Sequence, residues 1–106
     1  MSIAEKSAQL QRLAHKQGWR CARCGWSLLA PDAHAQRAHK IPQAVWAYAR
    51  YGAAIVDHDM NVDVVCGRSV AGSDCNSATS LGVAGGVAEA RLVQAIREAM
   101  CVTTAR

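Results

Sequence analysis

Four of the five cysteines fall into two widely separated pairs, Cys21 with Cys24 and Cys66 with Cys75, and this restricts the possible folds more than any other feature. Two thiolates three residues apart can share one metal ion. Two such pairs supply the four soft donors that a tetrahedral structural zinc takes, so the spacing predicts a Zn²⁺ site. Closing that staple makes the intervening chain a compact excursion that leaves and returns to one point. The excursion carries His39 and Asn61, and Asn76 follows the last cysteine, so the staple also draws these three toward one another.

At 106 residues the chain supports one domain with a modest core, and chains this small often need a metal or disulfide to be stable. The cysteine count is odd, and Glu5, Gln9 and Gln11 interrupt any apolar run at the start. Both point to a reducing, cytoplasmic setting in which thiols bind metal, with intramolecular disulfides the minor alternative. No stretch approaches the ~18 consecutive apolar residues of a membrane span. The formal charge of +4 falls to about +2 once four thiolates and one Zn²⁺ are counted, so clustering of cations matters more than their sum. Arg12, Lys16, Arg20 and Arg23 cluster, Arg37 and Lys40 flank His39, and arginines outnumber lysines nine to three. Guanidinium suits bidentate phosphate contacts, so these six are candidate nucleic-acid contacts; a solvated helix face is the other reading.

Ser2 and Glu5 have capping-box spacing, and Ile3, Leu10, Leu13 and Ala14 fall on one side of a helix predicted over residues 3–17. Residues 21–25 read as a metal knuckle in which Gly25 permits the tight backbone. Pro42 biases Ile41 toward extended structure, placing His39 on a strand or its end. A short helix over 43–50, a loop over 57–61, a strand over 62–65 and a loop over 67–74 follow. Asn76 is a candidate helix N-cap, and a final helix spans 87–100 with Leu92, Ala95, Ile96, Ala99 and Met100 as its apolar stripe. Trp19, Trp26 and Trp46 are expected in the core, because the chain has no Phe, with stacking on nucleobases their other reading. His15 and His34 read as solvated and Cys101 as a small apolar residue.

The ordered set of knuckle, Ala38-His39-Lys40-Ile41-Pro42, Tyr51-Gly52, Asp57-His58, Asn61, Cys66 and Cys75-Asn76 resembles the HNH endonuclease superfamily, in a small zinc-finger branch of bacteria and phages. The resemblance covers residues 19–80 of a single domain and leaves the flanking helices outside. It implies an α+β fold with a ββα-metal core, a hairpin packed on a helix around one catalytic ion, braced by the separate zinc. On that resemblance His39 is the general base, accessible and facing the helix that begins near Asn76. Asn61 holds the loop between the strands through its side-chain amide, and Asn76 ligates a catalytic Mg²⁺ or Mn²⁺. The implied activity is hydrolysis of DNA phosphodiesters.

The chain departs from the family in two places. Ala38 has no donor atom where relatives commonly carry a second metal ligand, leaving His58 or Asp57 as substitutes if their loop folds toward His39; shaping the turn is their other reading. Ser77-Ala78-Thr79 stands where active relatives often carry cations. The alternative function is therefore a zinc-braced binding module with weak or no catalysis, such as a phage-encoded inhibitor or adaptor of a nucleic-acid enzyme, contacting a protein partner through its first or last helix.

Overall fold

The computed structural model describes residues 1–68, 74–82 and 84–104, with side chains as far as residue 101. Among them the fold is small α+β. Helices α1 (Ile3–Lys16), α2 (Val45–Tyr51), α3 (Ala53–Val56), α4 (Cys75–Thr79) and α5 (Val87–Thr104) surround an antiparallel pair, β1 (Gln36–His39) and β2 (Val62–Val65).

The register pairs Gln36 with Val65, Arg37 with Val64, Ala38 with Asp63 and His39 with Val62. Strand alternation then puts Gln36, Ala38, Asp63 and Val65 on one face and Arg37, His39, Val62 and Val64 on the other. α4 packs on the first face, where Asn76 Nδ2 donates to Gln36 Oε1 at 3.0 Å. α1 lies toward the second, where Arg37 Nη1 donates to Gln9 Oε1 at 2.6 Å. With helices on both sides, three of the four β2 residues are fully covered valines, which is why that strand carries so little polarity.

Helix α1 starts at the capping box: the Glu5 amide donates to Ser2 Oγ at 3.1 Å and the Ser2 amide to Glu5 Oε1 at 3.0 Å. Its buried side chains are Gln9, Leu13 and Ala14, whereas Ile3, expected on the apolar side, is 87% exposed. Just past the helix, the Val64 amide donates to Gln17 Oε1 at 2.9 Å and Gln17 Nε2 donates to the Val64 carbonyl at 2.8 Å. Gln17 thus stands in for another strand and covers the open edge of β2.

The interior divides in two. One cluster, Leu13, Ala14, Leu28, Ala38, Val62, Val64 and Val65, surrounds the buried cysteines. The other, Ile41, Ala47, Ile55, Val56, Val93 and Ile96, lies under α2, α3 and α5. Trp26 and Trp46 belong to neither: at 41% and 37% exposure they are surface residues, contrary to expectation, and small aliphatic side chains fill the space instead. Trp19 does pack on the first cluster.

Several boundaries move from their expected places. The short helix begins at Val45, and Gly52, at φ +80°, separates it from α3. A 3₁₀ turn, Asp59–Asn61, occupies part of the expected 57–61 loop. Helix α4 begins one residue before Asn76, with Asp74 as N-cap accepting from the Asn76 and Ser77 amides at 3.1 and 3.3 Å; a carboxylate there satisfies two open donors. The last helix continues past residue 100 to Thr104. Of the 67–74 loop, residues 69–73 lie outside the described residues. Its first residue must be glycine, since a Cβ on Gly67 would sit 2.6 Å from the His34 carbonyl oxygen.

Candidate metal centre

Cys21, Cys24, Cys66 and Cys75 come together with all four sulfurs within 4.8 Å of one another. Cys24 Sγ is 3.6 Å from Cys66 Sγ, which is 3.8 Å from Cys75 Sγ. A tetrahedron with Zn–S bonds of ~2.3 Å has an S···S edge of about 3.8 Å, whereas a disulfide needs ~2.05 Å. The four cysteines therefore fit one metal ion, and all-thiolate donation favours a soft or borderline ion. Cys101, exposed on α5, stands apart from them.

The backbone is shaped for the charge. The knuckle is closed by the Cys21 amide donating to the Trp26 carbonyl and the Gly25 amide to the Cys21 carbonyl, at 2.8 and 3.0 Å. Gly25 takes φ +77°, in the left-handed region that glycine enters without strain. The amides of Arg23 and Cys24 point at Cys21 Sγ from 3.4 and 3.5 Å. Burial opposes ionisation of Cys21, but amide donation from Cys24, Cys66 and Arg23 outweighs it and brings the thiol down to about 6. Cys75 goes the other way: burial and three neighbouring sulfurs push it up to about 12. A bound cation would remove that conflict by drawing all four into the thiolate form.

Asn61 occupies the join between the two cores with no exposure. The Ile41 amide donates to its Oδ1 at 2.8 Å, and its Nδ2 donates to the carbonyls of Ile41 and Val56 at 3.0 and 2.7 Å. One side chain thereby clasps the chain leaving β1 to the chain approaching β2.

His39 and Asn76 are not brought together. Asn76 is half-buried beside Gln36, in a polar cleft also lined by Gly67, Arg68, Asp74 and Ser77. His39 lies three residues along β1 from Gln36 and so on the opposite face. Its side chain is 6% exposed, with Nε2 buried, 3.6 Å from Asp57 Oδ1 and without a hydrogen-bond partner. Burial, reinforced by Arg37, holds its pKa below the usual histidine value, although Asp57 pulls the other way. The expected accessible His39 facing α4 is thus absent, because α1 and the turn after α3 cover that end of the strand.

The other candidates near His39 have structural partners. Asp57 accepts from Tyr48 OH at 2.9 Å, and its backbone carbonyl accepts from Gln9 Nε2 at 2.7 Å. His58 Nδ1 accepts from the Met60 amide at 3.1 Å and caps the 3₁₀ turn. Ala38 is fully buried under α4. Among the described residues the four cysteines are the one group of three or more His, Cys, Asp or Glu side chains close enough to hold an ion.

Of the six cations singled out, four have partners within the chain. Arg12 forms a two-pronged pair with Asp59, both bonds 2.8 Å, which holds the Asp59 carboxyl below the usual range. Arg37 bonds Gln9, and Lys40 Nζ donates to the Met60 carbonyl at 3.1 Å. Arg20 donates to the Gly25 carbonyl at 3.2 Å yet stays exposed, and Lys16 and Arg23 are exposed on α1 and the knuckle.

Two participants escaped the sequence reading. Gln9 is buried and bridges Arg37, Asp57 and Asp59, but a lone glutamine in a polar helix gives no periodic signal. Arg68 stacks over the Trp26 ring at 3.7 Å, with Nη2 4.0 Å from Cys24 Sγ; its position two residues after Cys66 was the available hint. No helix among the described residues is long and apolar enough to cross a membrane. No family model, no curated protein and no solved structure matches this chain.

Proposed function

We propose that this chain is a zinc-stapled, HNH-like module that binds nucleic acid and does not hydrolyse it. Cys21, Cys24, Cys66 and Cys75 would hold Zn²⁺, which supplies no reaction chemistry but crosslinks the knuckle, the end of β2 and the start of α4. The observation that carries the non-hydrolytic reading is the burial of His39 against Asp57, on the sheet face opposite Asn76. A general base must reach the water it activates, and a catalytic ion needs more than one side-chain ligand. Here His39 is enclosed, Ala38 has no donor, and Asp57 and His58 are occupied by Tyr48 and the Met60 amide. Binding is supported by the exposed Arg20, Arg23 and Lys16, which lie on adjoining stretches of chain.

Endonuclease activity is the second reading, and Asn61 favours it: its three hydrogen bonds perform the loop-holding role that the HNH resemblance implies. Plasmid incubated with the zinc-loaded protein and Mg²⁺ or Mn²⁺ separates the two. We expect a gel shift without nicking. Metal-dependent nicking that His39→Ala abolishes while zinc content is retained would establish the nuclease instead. Loss of that nicking in His58→Ala would make His58 the substitute for the missing ligand at position 38.

A further inference from the structure

The Trp26–Arg68 pair is unusual in a chain whose apolar interior is made almost wholly of aliphatic side chains. Trp26 sits at the end of the metal knuckle, 41% exposed, with its indole N–H donating to Asp32 at 3.3 Å. The guanidinium of Arg68 lies 3.7 Å from the ring centroid, a stacked cation–π contact. The backbone that would hold the metal also fixes this pair. Trp26 accepts from the Cys21 amide through its carbonyl, and Arg68 follows Cys66 by two residues. Arg20 and Arg23 lie on the same stretch: the Arg20 backbone bridges to that of Ser27 across the knuckle, the Arg20 guanidinium donates to the Gly25 carbonyl, and Arg23 lies between the two cysteines. One guanidinium thus lies on the exposed indole, two further arginines belong to the same knuckle, and Asp32 accepts from the ring N–H.

A rigid exposed ring among arginines is the arrangement that binds unpaired nucleobases. Every base presents a π-face for stacking, while arginines take the flanking phosphates. A base inside a duplex has both faces covered by its neighbours, so such a platform discriminates in favour of single strands. The α2 surface provides an internal contrast. Trp46 is 37% exposed and Arg50 lies over its ring, but at 5.8 Å, outside stacking contact.

We infer that the knuckle face formed by Trp26, Arg68, Arg20 and Arg23 is a single-stranded nucleic-acid site, with Trp26 stacking on an unpaired base and the arginines holding the adjacent phosphates. This rests on the nucleic-acid-binding reading above and names its surface and strand preference. The shared chemistry is an unpaired base with its phosphate, so DNA and RNA are both admitted.

The test titrates the zinc-loaded full chain with a short oligothymidylate, the matching oligouridylate and a duplex of equal length, at low and high salt, following intrinsic tryptophan fluorescence and anisotropy. Quenching by the single strands, tighter binding than to duplex and weakening by salt are expected; comparison of the two oligomers decides between DNA and RNA. Trp26→Leu should lose about tenfold or more in affinity and most of the quenching, whereas Trp46→Leu should bind as the parent does. Arg68→Lys keeps the charge but not the planar stack and should also weaken binding. Each variant is checked for one zinc per chain, so that misfolding is recognised; should Trp26→Leu lose its zinc, Trp26→Phe replaces it and should bind nearly as the parent. Binding of single strands and duplex alike, unchanged in zinc-loaded Trp26→Leu, would overturn the platform and leave the binding reading standing. No binding of any oligomer at low salt would overturn both.

Discussion

Around the cysteines the interior is built from small pieces: alanines, valines, one end of α1 and the sulfurs themselves, with the chain brought in from three distant segments. Beneath α2, α3 and α5 the pieces are larger aliphatics, Ile41, Ile55, Val56, Val93 and Ile96, with Tyr48 and Tyr51 packed at the edge. The first region gathers four thiols from distant segments, and burial there pushes the Cys75 thiol up. The second contains no cysteine. A domain this small can thus leave half of its interior to packing and half to a metal, provided something rigid joins them; Asn61 occupies that join.

The largest effect expected on this contrast comes from metal removal. Structural zinc contributes roughly 10–16 kcal/mol in small stapled domains, more than the whole stability of a typical one. Chelation should therefore unfold the cysteine region, and the six-residue helical core, too small to stand alone, should follow. Amide exchange would show protection lost first at Val64 and Cys66 and then along α5. Persistent protection around Ile96 after chelation would break the coupling and make the helical region an independent unit.

Asn61→Ala attacks the join itself. It strands the Ile41 amide and two buried carbonyls, at about 1–3 kcal/mol for each group left unsatisfied, so a loss of ~3 kcal/mol or more is expected by denaturant titration. Because Lys40 still donates to the residue 61 carbonyl, the sheet register should survive. A loss below about 1 kcal/mol would mean that water replaces the clasp and that the two regions are joined by packing alone.

Ile96→Val confines the perturbation to the helical side. Ile96 is fully buried, and removing one methyl group there should cost about 1 kcal/mol without changing zinc stoichiometry. A fall in zinc content would show that the two regions are energetically one.

The same division explains what was legible in the sequence. The cysteine cluster, the β2 strand and the capping box were readable because each depends on spacing within a few residues or on a donor count fixed by the ion. Asn61 was readable only through a family resemblance, since no local pattern marks an asparagine that bonds Ile41 and Val56. The orientation of His39 was not readable at all. Period-two alternation says that Arg37 and His39 share a face; that this face is covered by α1 follows from Gln9 reaching Arg37, Asp57 and Asp59, a tertiary choice that a lone polar residue does not announce. Trp26 and Trp46 failed for a related reason: size suggests burial, but aliphatic residues had already filled both cores.

His39 provides the smallest and sharpest probe, because it sits on the sheet between the two regions. Burial and then Arg37 depress its pKa below 6.5, with Asp57 opposing, so the folded chain prefers the neutral ring. On acidification the unfolded chain takes up its proton first, near pH 6.5, while the folded chain resists. Stability contributed by the neutral ring is therefore fully present above about 6.5 and is lost as the pH falls toward the folded value. His39→Gln, which cannot titrate, should flatten that part of the curve. Denaturant midpoints measured downward from neutral pH, with zinc content recorded at each point, separate this from acid release of the ion. Depression of Asp59 by Arg12 acts only below its ordinary carboxylate range and falls outside the window. Parallel curves for parent and variant at constant zinc content would mean that His39 is already solvated in the folded protein, which would remove the main objection to its acting as a base.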